Sequence, residues 1–176
     1  MEKIELKRWP TQKVEALNDF YLEVNQEFCL VQIPLPIQEE MALNYLKAIE
    51  TRKNGNKELL SFAIMLEEEI IGKIELNKGQ NHIAELDLVI KEKYTNMGYG
   101  KEALKLLEEK VKETNWCRII EAIVKEDNLR MKKLLVDSGY MEGRSFIADI
   151  VVPHRGNYRI EEVEGREYKK TMLKEA

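Results

Sequence analysis

The 176-residue chain contains few of the residues that build disulfides, metal sites or nucleophilic triads. Its two cysteines, Cys29 and Cys117, are far apart and show neither a disulfide framework nor a metal-ligand spacing. Both have apolar neighbours and are expected to be small buried side chains. The two histidines, His82 and His154, stand in predicted loops without a Ser or Cys partner. The sequence therefore predicts no metal site and no Ser–His or Cys–His chemistry.

Long apolar runs and an excess of charge of one sign are also missing. No segment approaches the roughly 20 apolar residues that span a bilayer, and residues 1–6 do not start a signal peptide. The 28 Lys and Arg against 32 Asp and Glu give a net charge of −4, without the clustered basic surplus of nucleic-acid binding. We therefore expect a soluble cytoplasmic protein whose partners are neither membranes nor nucleic acids.

The remaining composition is that of a compact globular protein. Hydrophobic residues make up 44% and charged residues 34%, which suits one domain over residues 1–176. Hydrophobic periodicity gives the order β-α-α-β-β-β-α-β-α-β-β. The predicted strands are 3–8, 61–66, 70–76, 83–90, 118–124, 140–152 and 166–173, and the predicted helices are 14–24, 38–52, 101–113 and 128–137.

The connections between these elements predict how the strands pair. Short turns join the three middle strands, which should be antiparallel, whereas 83–90 and 118–124 are joined through a helix and should be parallel. The fold class is then α/β (α+β), a mixed, mostly antiparallel sheet of about seven strands with helices on both faces. Helix 38–52 should turn Met41, Tyr45 and Ile49 inward. A loop containing Pro153, Gly156 and Gly165 should join the last two strands.

A polar loop that leads from strand 83–90 into a helix contains Gly98 and Gly100. We expect both glycines to take positive φ and to let the backbone approach a ligand closely. Free N–H groups at a helix start, with the helix dipole behind them, suit a pyrophosphate. A plain strand–loop–helix connection would show the same two glycines.

Two other phosphate-binding loops can be tested on this segment. A P-loop needs Gly at position 95 and Ser or Thr at 102, where the chain has Thr95 and Glu102. A dinucleotide fingerprint is formally met by Gly98, Gly100 and Ala103, but it should follow its strand almost at once, and residues 91–97 intervene. These mismatches make a nucleotide-dependent enzyme the weaker interpretation of the loop.

Two ordered blocks carry a family resemblance. The first is Thr95-Asn96-Met97-Gly98-Tyr99-Gly100, and the second is Asn128 followed by Gly139-Tyr140. They resemble the GNAT acetyltransferase motifs Arg/Gln-x-x-Gly-x-Gly/Ala and Asn-x-x-(Ala/Ser)…Gly-(Phe/Tyr). Weaker similarity upstream is to the branch that acetylates ribosomal-protein N-termini and small amines. Its segments are Phe62-Ala63-Ile64, Ile70-Ile71-Gly72-Lys73-Ile74 and Ala84-Glu85-Leu86, and the whole resemblance covers residues 60–145.

The resemblance implies transfer of an acetyl group from acetyl-CoA to a primary amine, on a protein N-terminus or a small molecule, by direct attack on the thioester. In the family the fourth and fifth strands splay apart, and the pantetheine arm lies between them like an added strand. Asn128 is expected to contact the pantetheine, to cap a helix, or both. The implied cofactor-binding residues are Leu88, Ile90, Thr95, Asn96, Met97, Gly98, Tyr99, Gly100, Lys101 and Asn128.

Two carboxylates are candidates for the base that the acceptor amine requires. Glu85 and Asp87 lie two apart on a predicted strand and hence on one face, from which either could accept a proton. Glu85 is favoured because it coincides with the acidic position of the resembling branch. The competing interpretation is a pair of solvated strand charges, or a carboxylate paired with a lysine.

The chain also departs from the family pattern. Thr95 replaces the usual Arg or Gln, Met131 the usual Ala or Ser, and Leu135 the Tyr that protonates the leaving thiolate. Leu135 is expected to be a packing residue. The missing Tyr at Leu135 and the unusual Asp87-Leu88 pair keep open a catalytically silent acyl-CoA-binding or interaction domain. A homodimer also stays open. The tyrosines that are candidate acids by residue type alone are Tyr94, Tyr99 and Tyr140.

Overall fold

The computed structural model describes residues 2–10 and 13–173. Within these residues, eight strands form one mixed sheet in the order β1-β3-β4-β5-β6-β8-β7, with the short β2 paired to β3. None of the described helices has the length and apolar composition needed to cross a membrane. The strands are β1 Ile4–Lys7, β2 Lys53–Asn54, β3 Lys57–Leu66, β4 Glu69–Lys78, β5 Ile83–Ile90, β6 Ile119–Lys125, β7 Met141–His154 and β8 Asn157–Thr171. The helices are α1 Val14–Leu22, α2 Glu39–Thr51, α3 Tyr99–Thr114 and α4 Leu129–Asp137.

Strand pairing confirms the expected mixed sheet. β5 and β6 are parallel, and the other paired strands are antiparallel. The segment 54–56, which follows the predicted helix 38–52, closes a hairpin between β2 and β3, with Gly55 at φ 61°. Gly is favoured at such a turn because it takes positive φ without steric cost.

The two faces of the sheet carry separate hydrophobic cores. α3 and α4 cover one face, and α1 and α2 cover the other. The apolar stripe of α3 is buried as its spacing predicts. The first core includes Leu104, Leu107, Val111 and Leu135 packed on Ile74, Leu76 and Ile120, and the second includes Leu17, Phe20 and Leu46 packed on Leu59 and Ala63.

The inward face of α2 differs from the expected one. Ala42, Leu46 and Ile49 are buried, whereas Met41 is 46% exposed and Tyr45 is partly buried. Ile49 is inward as expected, whereas the small side chain of Ala42 lets the helix lie close to the sheet, so that Ala42 and Leu46 take the inward positions expected of Met41 and Tyr45. Met41 and Tyr45 are thereby placed at the edge of the contact, where they line a cavity.

The expected loop between the last two strands is also wrong. β7 and β8 form a long hairpin whose turn is Arg155-Gly156, both at positive φ. Pro153 is tolerated inside β7 because β7 is an edge strand. Gly165 lies inside β8 opposite Phe146, where an added Cβ would stand 2.7 Å from the Phe146 ring. Gly165 thus accommodates an aromatic ring and does not mark a loop.

Candidate active site

The sheet opens between its two parallel strands. β5 and β6 pair through three residue pairs, the last of which joins Glu85 to Glu121. Beyond this point β5 stays paired with β4 as far as Ile90, and β6 stays paired with β8 as far as Lys125. The outer neighbours therefore hold the two strands apart, and the splayed parallel pair expected from the resemblance is confirmed.

Backbone groups of β5 face this opening. At the two ends of β5, the Ile83 carbonyl accepts from Gly79 at 3.0 Å and the Lys91 N–H donates to β4 at 2.8 Å. Because backbone polar groups alternate in direction along a strand, the even-numbered residues turn theirs away from β4. The N–H and C=O groups of Leu88 and Ile90 consequently point into the opening.

The N-terminus of α3 lies at the end of the opening. Gly98 caps the helix at φ 87°, and the Glu102 N–H donates to the Gly98 carbonyl at 3.1 Å. The N–H groups of Tyr99, Gly100 and Lys101 precede this bond in the first turn and are available to a ligand. The positive φ expected for Gly98 is confirmed, and this loop geometry suits an anion.

The expected positive φ of Gly100 is wrong, because residue 100 has an ordinary helical backbone. Its glycine has a steric role instead. An added Cβ would stand 2.9 Å from Leu134 Cδ1, 3.7 Å from Leu88 Cδ2 and 4.0 Å from Ile90 Cγ1. A side chain at this position would therefore intrude where the opening meets the helix.

Two side chains of the loop, those of Thr95 and Tyr99, make contacts within the protein. The Thr95 hydroxyl donates to the Glu92 carbonyl at 2.7 Å. The Tyr99 side chain is buried and packs edge-on against Tyr94. The exposed members of the predicted cofactor set in this segment are Asn96, Met97, Gly98 and Lys101. Ligand contacts at the helix start are thus expected from backbone more than from side chains.

Asn128 caps α4. Its Oδ1 accepts from the Met131 N–H at 3.2 Å, and the residue also lines the opening. Capping is therefore established, and a contact with a ligand in the opening remains compatible with it.

A cavity of about 650 Å³ passes through the sheet at the opening. Gly100 and Leu134 line it on the α3–α4 side, and Tyr21 and Met41 line it on the α1–α2 side. The segments 86–90 and 122–124 form the passage between them. One ligand can therefore enter from each face of the sheet and meet the other between the strands.

Both candidate bases line this cavity, and one belongs to a charged cluster. The Lys73 Nζ donates to the Tyr21 hydroxyl at 2.6 Å and lies 3.4 Å from Glu75 Oε1 and 3.6 Å from Asp87 Oδ2. Tyr45 donates to Glu75 at 2.7 Å. Lys73 is 2% exposed, so its charge depends on these carboxylates.

The environment of Asp87 shifts its titration. Its side chain is 52% accessible because it lines the cavity, while protein surrounds its other sides. Removal from bulk solvent raises the pKa of the Asp87 carboxyl; the Lys73 ammonium opposes this, and Glu75 and Glu85 add to it. Burial disfavours the charge of Lys73, yet the neighbouring carboxylates hold its pKa above the usual range. Glu85 is exposed and lies opposite Glu121 where the strands separate.

Sequence reasoning missed the cluster of Lys73, Glu75, Tyr21 and Tyr45. A signal was present, since Lys73 and Glu75 alternate with buried apolar residues in a strand between two other strands. Charged residues on a covered face need partners, and their presence indicates a site. Cys29, expected to be buried, is partly buried and lines the cavity, and desolvation raises its thiol pKa to about 11. Cys117 is buried as expected.

The three tyrosines that were candidate acids, Tyr94, Tyr99 and Tyr140, do not line the cavity. Tyr94 donates to Glu69, and Tyr140 donates to Glu108 at 3.1 Å within the core. Among the described residues that line the cavity, the tyrosines are Tyr21 and Tyr45. The expectation that Leu135 packs in the core is confirmed, since it is 0% exposed.

A mixed sheet that opens between parallel strands, with a helix N-terminus at the end of the opening, offers an extended ligand backbone hydrogen-bonding groups and a favourable position for an anion. The family model "Acetyltransferase (GNAT) domain" matches residues 4–141. The chain belongs to this family and is an N-acetyltransferase with acetyl-CoA as co-substrate. No curated protein matches the chain in sequence.

Several solved structures share the fold. RimL, a ribosomal L7/L12 alpha-N-protein acetyltransferase in complex with coenzyme A, superposes with a TM-score of 0.74 at 15% identity, covering 98% of this chain and 96% of that one. Spermidine N-acetyltransferase from Vibrio cholerae, in complex with CoA and spermine, gives 0.72 at 13% identity, with coverages of 96% and 95%. A GNAT-family acetyltransferase from Streptococcus pneumoniae gives 0.71 at 16% identity, with coverages of 97% and 99%.

Proposed function

We propose that the protein acetylates a primary amine, on a protein N-terminus or a small molecule, by direct attack of the amine on the thioester of acetyl-CoA. The observation that carries this proposal is the passage through the sheet. Backbone donors and acceptors line it from β5, the N-terminus of α3 lies at one end, and carboxylates lie at the other. Both substrates can reach the passage, so no acetylated side chain is required.

The cofactor half of the passage fits the shape and charge of acetyl-CoA. The pantetheine arm carries amides that can pair with the outward N–H and C=O groups of Leu88 and Ile90 as a strand would. Its pyrophosphate is matched by the first N–H groups of α3 and by the helix dipole. Gly100 lines the cavity here, and a side chain at this position would press on Leu134 Cδ1, 2.9 Å from an added Cβ, and narrow the passage that the arm would occupy.

The acceptor half supplies a base. Only the neutral amine attacks, so its proton must pass to Asp87 or Glu85, directly or through water. We favour Asp87, because a carboxylate with a raised pKa inside a cavity is better matched to that role. Glu85, exposed on the same face, is the alternative base.

The leaving group needs little help from the protein. A thiol of ordinary pKa, about 8.5, leaves as a tolerable thiolate near neutral pH and takes its proton from water. Leu135 is buried and has no proton to give. The reaction therefore proceeds without a protein acid at that position, while a backbone N–H in the opening stabilises the oxyanion.

The test combines binding with turnover. Isothermal titration with acetyl-CoA, CoA, ATP and NAD should show binding of the first two only, and a thiol-release assay across an amine panel should show acetyl-CoA-dependent turnover. Binding of ATP or NAD without acetyl-CoA would overturn the assignment. Tight acetyl-CoA binding without thiol release for any amine would favour the silent acyl-CoA-binding domain.

A further inference from the structure

The acceptor half of the cavity has one polar wall and one apolar wall. The polar wall is the sheet face that carries the carboxylates of Glu75, Asp87 and Glu85, together with Lys57 and Lys73. The apolar wall comes from the α1–α2 loop, residues 23–38, and from the start of α2. Its large apolar members are Val24, Phe28, Leu30, Val31, Ile33, Ile37 and Met41.

Two polar side chains of the α1–α2 loop that line the cavity, Asn25 and Gln26, form hydrogen bonds within the loop. The Gln26 amide donates to the Ile33 carbonyl at 2.9 Å and accepts from the Ile33 N–H at 2.6 Å. Asn25 Oδ1 accepts from the Glu27 N–H at 3.0 Å. Among residues 23–38, all of them described, none that lines the cavity carries a carboxylate. The loop therefore offers a ligand mainly apolar surface.

The loop is fastened on both sides of the opening. At the β5 side the Glu92 N–H donates to the Glu23 carbonyl at 2.8 Å, and Lys91 pairs with the Glu23 carboxylate at 2.8 Å. At the β6 side Lys125 donates to the Glu27 carbonyl at 3.0 Å. The apolar wall is thus held in place above the carboxylates before any ligand arrives, which lowers the cost of ordering it.

Apolar side chains remain exposed around this cavity. Val31 is 78%, Met41 46% and Phe28 38% exposed. Exposed apolar side chains grouped around a cavity, rather than scattered singly, indicate a ligand that covers them. A second ammonium group held against this wall would lose its hydration without gaining a carboxylate.

We infer that the acceptor is a primary amine carried on an apolar stem, with the amine on the carboxylate wall and the stem against Phe28, Val31 and Met41. This inference rests on the proposed acetyl transfer and names its substrate class. The inference predicts that the protein prefers an alkyl or aryl amine, or a chain terminus with an apolar first residue, over a polyamine.

The test compares ethylamine, butylamine and hexylamine, whose amines have nearly the same basicity, with spermidine. Thiol release should show kcat/KM rising about fourfold per added methylene, the equivalent of about 0.8 kcal/mol per buried CH₂. Spermidine should be poorer than hexylamine. Equal kcat/KM across the alkyl series, or a preference for spermidine, would overturn the inference while leaving acetyl transfer intact.

Two variants test whether the chain-length dependence of kcat/KM arises at the apolar wall. Val31→Ser and Phe28→Ser change exposed positions and should flatten the chain-length dependence, whereas Leu22→Ser, 67% exposed just before the loop and outside the cavity, should leave it unchanged. An unchanged slope in both cavity variants would also overturn the inference. Phenylethylamine and a peptide beginning with phenylalanine present the same ring, and their relative rates distinguish a small molecule from a chain terminus.

Calorimetry with the CoA-bound protein gives a readout that does not need turnover. Tighter binding of hexylamine than of ethylamine, reduced by Val31→Ser, supports the apolar stem even if no amine releases thiol. In that case the acetyl transfer fails and the ligand class stands. No preference for hexylamine in either assay refutes the ligand class.

Discussion

Replacing Lys73 by Met should move the pH dependence of acetyl transfer to higher pH. The Lys73 ammonium favours the ionised Asp87 carboxylate, so removing it raises the pKa of that carboxyl further. Glu75, left without its cation, acts in the same direction. If Asp87 is the base, activity lost on acidification should be lost at a higher pH in the variant.

The size of the shift follows from the 3.6 Å between Lys73 Nζ and Asp87 Oδ2. Coulomb's law gives about 1 kcal/mol for a water-like dielectric and about 4–5 kcal/mol for an effective dielectric of 20. Since Asp87 is half accessible, solvent screening places the value near the lower end, at about 1–2 kcal/mol. The pKa of the Asp87 carboxyl therefore rises in the variant, and the acidic limb of the activity profile moves to higher pH.

The measurement is the ratio of kcat/KM for Lys73→Met to that for the wild type, taken across pH. The ratio cancels the titration of the acceptor amine, which is common to both proteins. It should fall towards low pH and level off at high pH. A ratio that is constant across pH would refute the control of the base by Lys73.

A paired variant guards against loss of folding, because breaking a buried ion pair costs about 3–5 kcal/mol of stability. Lys73→Met combined with Glu75→Gln removes both charges, so the Asp87 carboxyl should titrate nearer its wild-type pH. Carbon NMR of labelled aspartate side chains reports that titration directly, without any acceptor. Unchanged titration of Asp87 in both variants would contradict the electrostatic argument.

Three further substitutions test separate parts of the site. Asp87→Asn should lower the rate about 10²-fold at neutral pH with partial recovery at high pH, as expected of a lost general base; full activity of Asp87→Asn beside an impaired Glu85→Gln would move the role to Glu85. Gly100→Val should weaken acetyl-CoA binding by about 1–3 kcal/mol in calorimetry, because the added side chain would press on Leu134, intrude into the opening and displace backbone contacts to the ligand, and an unchanged Kd in the folded variant would exclude the proposed phosphate position. Leu135→Tyr should cost about 1–3 kcal/mol of unfolding free energy in urea by overpacking a buried site, and a large gain in turnover at unchanged stability would show that the position faces the cavity.

Much of the sheet could be predicted because its signals are local. Ile83–Ile90 is a mostly apolar segment, interrupted by Glu85 and Asp87 and bounded by turn residues, and the helix that follows it requires a parallel return strand. The cap at Gly98 was predictable because a loop that enters a helix at positive φ favours glycine. These features depend on neighbours in sequence.

The failures depend on neighbours in space. Gly100 and Gly165 were assigned to backbone conformation, but each accommodates a side chain from elsewhere, Leu134 and Phe146 respectively. The inward face of α2 was misplaced because the small Ala42, and not Met41, meets the sheet. Periodicity alone does not show which residue approaches closely.

The candidate site also combines features that depend on neighbours in sequence with features that depend on neighbours in space. The loop and the two carboxylates were found from motif and spacing, whereas the partner of Asp87, Lys73, lies on the adjacent strand. The pairing of Glu75 with Asp87 becomes visible only once the β4–β5 register is known. A register cannot be read from two strands separately, since a shift of one residue would turn either side chain to the other face.

The passage through the sheet has a consequence for kinetic order. Its two mouths lie on opposite faces, so neither substrate has to pass the position of the other to bind or to leave. Double-reciprocal plots should therefore give intersecting lines, and CoA and the acetylated amine should each inhibit competitively against the substrate that shares its mouth. The α1–α2 loop, which Lys125 and Lys91 hold over the acceptor mouth, also limits how an acceptor approaches. A folded protein could offer only a projecting end of its chain, and a lysine in the middle of a surface helix would not reach the thioester.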